Sequence, residues 1–161
     1  MKQKTLIIVK KFLKLAKGYL SSLKHIIKKD KDTTITNVLS IIAAIILLQT
    51  LYFKFTAHPD SVYVFTLLGL EPYGRVGLGI IELITAGMLI YPKTTTYGSI
   101  IGVVILSGAI ASHLTVLGIV VRDDHGILFV LALIAFICCV AILWIKRQEV
   151  LNIIAILLNK K

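Results

Sequence analysis

The stretch GILFVLALIAFICCVAILWI, residues Gly126 to Ile145, decides the fold class: twenty residues without one charge. At a rise of about 1.5 Å per residue such a helix reaches roughly the 30 Å of a bilayer's hydrocarbon core. A strand would be shorter, and a soluble helix would carry a polar face, which this run lacks.

Three further runs precede it. Ile35 to Phe53 carries no charge, the 17 residues between Arg75 and Lys93 carry only Glu82, and Thr94 to Val121 is uncharged apart from any proton on His113. Glycine is frequent in the second and third runs, as membrane helices tolerate. The expected fold is all-α: a polytopic membrane four-helix bundle over residues 34–146, with a basic amphipathic membrane-surface arm at 1–33 and a short interfacial tail at 147–161. The whole composition agrees, because 57% of the 161 residues are hydrophobic and only 16% charged. Soluble domains are less apolar and carry about a quarter charged residues, and disordered chains are far more polar.

The net charge of +10 needs its own account. Residues 1–32 hold ten Lys and two Asp, so +8 of the total lies in the arm. With the amino terminus inside, those ten lysines join Lys93, Lys146, Arg147, Lys160 and Lys161 on the inner side, fifteen cations in all. Lys54, Arg75 and Arg122 fall outside. Fifteen against three is a strong positive-inside bias, so both termini are expected in the cytoplasm.

On a helical wheel the arm places Val9, Phe12, Leu13, Ala16, Tyr19, Leu20 and Leu23 on one face, with Lys10, Lys14, Lys17, Lys24 and Lys28 opposite. That pattern suits a helix lying on anionic lipids, its lysine stems snorkelling to the headgroups. A nucleic-acid-binding arm would not need the apolar stripe, so no nucleic-acid partner is expected. A cleavable signal is not expected either, because Lys10 and Lys11 break the apolar run Leu6 to Val9. In the tail, Gln148, Glu149, Asn152 and Asn159 share one side, and Trp144 before them suits an interfacial anchor.

Ionisable residues inside a membrane helix are costly unless paired or wetted, so they mark candidate functional positions. Glu82 lies seven residues past Arg75 on nearly the same face, with Gly79, Thr85 and Ala86 beside it. His113 lies five residues before Gly118, and Lys54 ends the first run. The up-and-down topology puts Lys54, Arg75, Glu82 and His113 in the outer half of the bundle. Together they could bind an anion, relay a proton or hydrogen-bond a quinone-like head group. The plain alternative is a structural network in which Glu82 pairs with His113 or Arg75 and fixes helix packing while Lys54 snorkels to the surface.

Between the first two runs, His58-Pro59-Asp60-Ser61 reads as a turn and helix start capped by Asp60 or Ser61. Val62 to Leu70 is then too short to span, an interfacial or re-entrant piece whose Tyr63 and Phe65, with Tyr73, could cover a pocket. The adjacent Cys138 and Cys139 point about 100° apart and read as packing residues. Gly77-Leu78-Gly79 lacks the third glycine of a nucleotide fingerprint. Arg122-Asp123-Asp124-His125 holds metal-ligand residue types but reads as an exposed turn, so no metal site is expected.

Several motifs together resemble the DoxX-like membrane proteins: Tyr52-Phe53-Lys54-Phe55, His58-Pro59-Asp60-Ser61-Val62-Tyr63, Leu68-Gly69-Leu70-Glu71-Pro72-Tyr73-Gly74-Arg75 and Ser107-Gly108-Ala109-Ile110-Ala111-Ser112-His113-Leu114-Thr115. The resemblance covers roughly residues 35 to 146. It implies a four-helix bacterial inner-membrane protein with ligand-binding candidates Lys54, Arg75, Glu82, Ser112, His113 and Thr115, of which Glu82 and His113 are the catalytic candidates. Founding members of that family are subunits of a thiosulfate:quinone oxidoreductase, and others are linked to redox or oxidative-stress functions. A quinone and a membrane or soluble oxidoreductase subunit are therefore the implied ligand and partner. Alone, the chain shows no flavin, haem or metal ligand set, so a noncatalytic membrane scaffold or chaperone-like partner stands beside the redox reading.

Overall fold

A computed structural model describes Lys17, residues 31–122 and residues 124–158. The chain divides into two units, Met1–Ile35 and Thr36–Lys161. The amphipathic arm expected over 1–33 lies almost wholly outside the described residues, as do Asp123 and the last three positions.

Four helices are long and apolar enough to cross a membrane: α1 (Lys31–Phe55), α3 (Tyr73–Ile90), α4 (Thr95–Ser112, continued by a π-helical turn His113–Leu117) and α5 (Ile127–Ile145). Two shorter helices accompany them, α2 (Pro59–Leu67) between α1 and α3, and α6 (Arg147–Leu158) after α5. No strand occurs among the described residues, and the protein is all-α.

What faces inward and what faces outward identifies the solvent. The core is small and close, built from Ala43, Ala44 and Leu47 of α1, Ala86 and Leu89 of α3, Leu106 of α4, and Ala135, Cys138, Cys139 and Ile142 of α5. Buried hydroxyls lie among them and bond carbonyls four residues back in their own helices: Ser40 to Thr36 at 2.8 Å, Thr85 to Ile81 at 2.7 Å, Ser99 to Thr95 at 2.8 Å. The outward surface carries Ile41, Ile45, Ile84, Val104 and Ile137. An interior where alanine, cysteine and hydroxyl side chains share space with a few leucines and isoleucines, under a surface of large apolar side chains, differs from a water-soluble bundle and is the expected arrangement where lipid is the solvent.

Glycines set the helix spacing. A Cβ on Gly98 would stand 2.9 Å from the Leu89 nitrogen, and one on Gly102 would stand 2.8 Å from Cys139 Sγ. So α4 closes on α3 at the first position and on α5 at the second. Cys139 is fully buried there, a packing residue as its neighbours in sequence suggest. The short Tyr91–Thr94 turn makes α3 and α4 antiparallel, with Thr94 Oγ1 donating to the Met88 carbonyl at 2.9 Å.

The end opposite that turn is capped by α2 and by the 118–126 loop. Helix α2 starts three residues before the apolar stretch expected from the sequence. Its N-cap is His58, whose Nδ1 accepts from the Asp60 amide at 3.4 Å, rather than Asp60 or Ser61. Pro59 causes the difference, because its preset φ and missing N–H suit the first helical position. In the loop, Gly118 takes a φ of 78°, which ends the π turn in a conformation a side chain would resist. The Asp124 carboxylate accepts from the amides of Val121 at 2.8 Å, Gly126 at 2.9 Å and Leu128 at 3.2 Å, which caps α5. Burial pushes the Asp124 carboxyl up, but these three amides and the nearby His113 outweigh it and hold it below its ordinary value.

The tail forms the expected short helix. It is exposed on nearly all sides, with Leu151, Ile154, Leu157 and Leu158 uncovered, and Trp144 stands out at the junction. Glu149 ties it back by accepting from the Thr96 hydroxyl at 2.5 Å and from Lys146 at 3.2 Å, and the Thr96 bond chiefly lowers its carboxyl.

Candidate functional site

Buried charge concentrates where α1 meets α3 at the α2 end. Gly79 lets the two approach, since its absent Cβ would lie 3.1 Å from the Phe55 ring and 3.6 Å from Lys54 Cβ. With α1 this close, the Lys54 side chain runs along α3 and meets Glu82. Lys54 Nζ donates to Glu82 Oε2 at 2.7 Å and to Thr50 Oγ1 at 3.0 Å. The Thr50 hydroxyl stands 2.9 Å from the same Glu82 oxygen and 2.8 Å from the Leu47 carbonyl. Its single proton serves one of them at a time.

Arg75 completes the cluster. Its Nε–H faces both carboxylate oxygens of Glu71, at 2.8 and 2.9 Å, and its Nη1 donates to the Lys54 main-chain carbonyl. A cation at the last carbonyls of α1 complements that end of the helix dipole. Arg75 is buried, so its fork joins the end of α1 to the start of α3.

Glu82 uses only one of its two oxygens. Both described donors point at Oε2, and no described group donates to Oε1. Yet no side-chain polar atom that is fully enclosed lacks a partner among the described residues. Hence Oε1 retains some open surface, although Glu82 as a residue is 7% exposed. A carboxylate oxygen can only accept, so this is an open acceptor in a desolvated place.

His113 stands apart from this cluster. The antiparallel register is fixed by Gly98 against Leu89 and by Gly102 near Thr85, and both pairs sum to 187. The same sum puts His113 level with Gly74, eight residues from Glu82, or about 12 Å along the axis. The pairing of Glu82 with His113 or Arg75 expected from the sequence is therefore corrected: the partner is Lys54. Lys54 in turn is buried rather than snorkelling. His113 donates from Nδ1 to the Gly118 carbonyl at 2.8 Å and sets its ring edge-on to Phe129, 5.6 Å between centroids. This tautomer leaves Nε2 as the second valence, within a π turn of the kind that often marks functional positions.

The remaining candidates turn outward or inward singly. The Ser112 and Thr115 hydroxyls bond the Gly108 and Ala111 carbonyls of their own helix at 2.9 and 2.7 Å, so both are satisfied locally, and neither reaches the cluster. Of the aromatics expected to cover a pocket, Phe65 is buried, Tyr73 is exposed, and Tyr63 lies under Arg122, whose guanidinium is 5.5 Å from the ring centroid and pairs with Asp60 at 2.9 Å. Among the described residues, no group of His, Cys, Asp and Glu is placed to hold a metal.

Thr50 and Glu71 are site residues that sequence reasoning passed over. A signal existed: each lies four residues before its partner, Thr50 one turn before Lys54 on α1 and Glu71 in the turn just ahead of Arg75. Gln49, the polar residue next to Thr50, is exposed. Compared with known protein families, with curated proteins and with solved structures, the chain matches none.

Proposed function

We propose that the chain is a DoxX-like, four-span protein of a bacterial inner membrane, with both termini cytoplasmic and its arm on anionic lipid. In this reading it is a membrane redox component that handles a quinone or small anion through the Thr50–Lys54–Glu82 cluster, working with a membrane or soluble oxidoreductase subunit. The sequence motifs and the fifteen-to-three distribution of cations support the family and the orientation. The observation that carries the site is the buried Lys54–Glu82 pair with one carboxylate oxygen still open. Such a pair can exchange a proton or a hydrogen bond with a head group entering between α1 and α3, shielded from bulk water. His113 serves a separate position nearer the outer surface, beneath α2.

One observation favours a second reading, a noncatalytic scaffold for other membrane proteins. Lys54 and Arg75 are each neutralised by a carboxylate inside the chain, as a structural clamp requires. The small-residue faces at Gly98 and Gly102 are already filled by α3 and α5, so a partner would dock elsewhere. Quinone and sulfate titrations on the full chain in lipid nanodiscs separate the two. The redox reading expects saturable binding of one of them that weakens at least about tenfold in Glu82→Gln. Binding of neither, with a stoichiometric protein partner retained on purification, would sink it in favour of the scaffold.

A further inference from the structure

The cluster's charges and its two open valences specify the chemistry of a ligand more narrowly than its location does. Lys54 faces Glu82 at 2.7 Å and Arg75 faces Glu71 at 2.8 Å, so the four groups in their usual ionisation sum to zero. An anion entering here would add an uncompensated negative charge to a neutral, desolvated cluster, which is strongly unfavourable. A neutral guest has no such conflict.

The valences left over are a matched pair. Glu82 Oε1 accepts and has no described donor. Lys54 Nζ has three protons and directs two of them at Thr50 and Glu82. A ligand carbonyl or ether oxygen satisfies the lysine and leaves Oε1 idle. A hydroxyl does both, donating to Oε1 while its oxygen accepts from Nζ. One turn from Glu82, the half-exposed Phe55 ring lies against Gly79, an apolar flat surface for the body of such a molecule.

We propose that the open side of the Lys54–Glu82 pair binds the hydroxyl of a neutral, membrane-soluble alcohol or phenol and rejects anions. This rests on the reading of the cluster as a ligand site and assigns that site a hydroxyl donor as its ligand. The test uses the full chain in phosphatidylcholine nanodiscs, whose lipid offers no hydroxyl donor, titrated calorimetrically with para-octylphenol and with its methyl ether. The two probes share ring and chain and differ in the donor. The phenol is expected to bind about tenfold or more tightly than the ether, the ratio a hydrogen bond to a charged group supplies.

Glu82→Gln retains a carbonyl for Lys54 and Thr50 and turns an N–H donor toward the opening. The phenol preference should then fall below about twofold or reverse. Sulfate in excess should leave phenol binding unchanged, since it is anionic. Equal affinities for phenol and ether in the unaltered chain would overturn the proposal, whatever the fate of the variant. So would competition by sulfate. Saturable sulfate or quinone binding that depends on Glu82, without a phenol preference, would refute this inference and leave the ligand site standing, whereas binding of no probe at all would end both.

Discussion

Lys54→Met removes an ammonium from beside Glu82 while keeping the length and apolar stem of the side chain. At 2.7 Å the Lys54–Glu82 attraction is gross about 6 kcal/mol for an effective dielectric constant near 20. The cost of desolvating both groups, whose side chains are 11% and 10% exposed, cancels much of that. Removing one partner cancels nothing, because Glu82 stays where it is with only the Thr50 hydroxyl beside it. The expected loss is about 3–5 kcal/mol, as for other buried pairs broken on one side. Lys54→Met combined with Glu82→Leu removes both charges and should recover at least about 2 kcal/mol of it, since apolar replacement of a whole buried pair is often neutral or stabilising. Denaturation with SDS in mixed micelles, followed by far-UV circular dichroism, gives the four corners of the double-mutant cycle. If Lys54→Met unfolds within about 0.5 kcal/mol of the parent, or the double variant is no more stable than the single, Lys54 and Glu82 do not form the coupled pair described here.

Two glycines of the α3–α4 hairpin should respond oppositely to alanine. Gly98→Ala drives a methyl to 2.9 Å from the Leu89 main-chain nitrogen, which cannot rotate away, so a loss of about 1–3 kcal/mol is expected despite the better helix propensity. Gly87→Ala meets nothing within 4 Å and should gain about 0.5–1 kcal/mol; the same SDS titration reads both. Asp124 supplies a pH dependence. Its folded carboxyl lies below the ordinary 3.8, so its contribution is complete above that value and is lost as the pH falls through the lowered folded one. The thermal midpoint should therefore drop in that acid range, and Asp124→Asn should flatten this part of the profile.

Much of the architecture was legible because lipid imposes a simple rule. A helix must be apolar over some twenty residues to cross, and the four runs around Gly126–Ile145 obey it wherever they later pack. Breaks were legible for the same kind of local reason, such as the His58-Pro59-Asp60-Ser61 turn at which α2 starts. The candidate site was half legible. Lys54, Arg75 and Glu82 stood out as charges in apolar surroundings, and all three entered one buried cluster. His113 stood out equally and belongs to another level, while Thr50 and Glu71 entered the cluster without being singled out. Polarity marks a residue as unusual but carries no information about depth relative to a neighbouring helix.

The sequence by itself determined four apolar spans, the placement of charge at their ends, and the short list of ionisable residues that must find partners. Only the tertiary structure decided which partners. Glu82 meets Lys54 because Gly79 admits α1 closely enough for the lysine to run along α3, and His113 misses Glu82 because Gly98 and Gly102 hold α4 at a register that puts it eight residues away. Hydrophobic burial is nondirectional and leaves helices free to slide in lipid, so spans follow from composition. Register follows from where backbones can touch, a property of pairs of surfaces that no single stretch of chain contains.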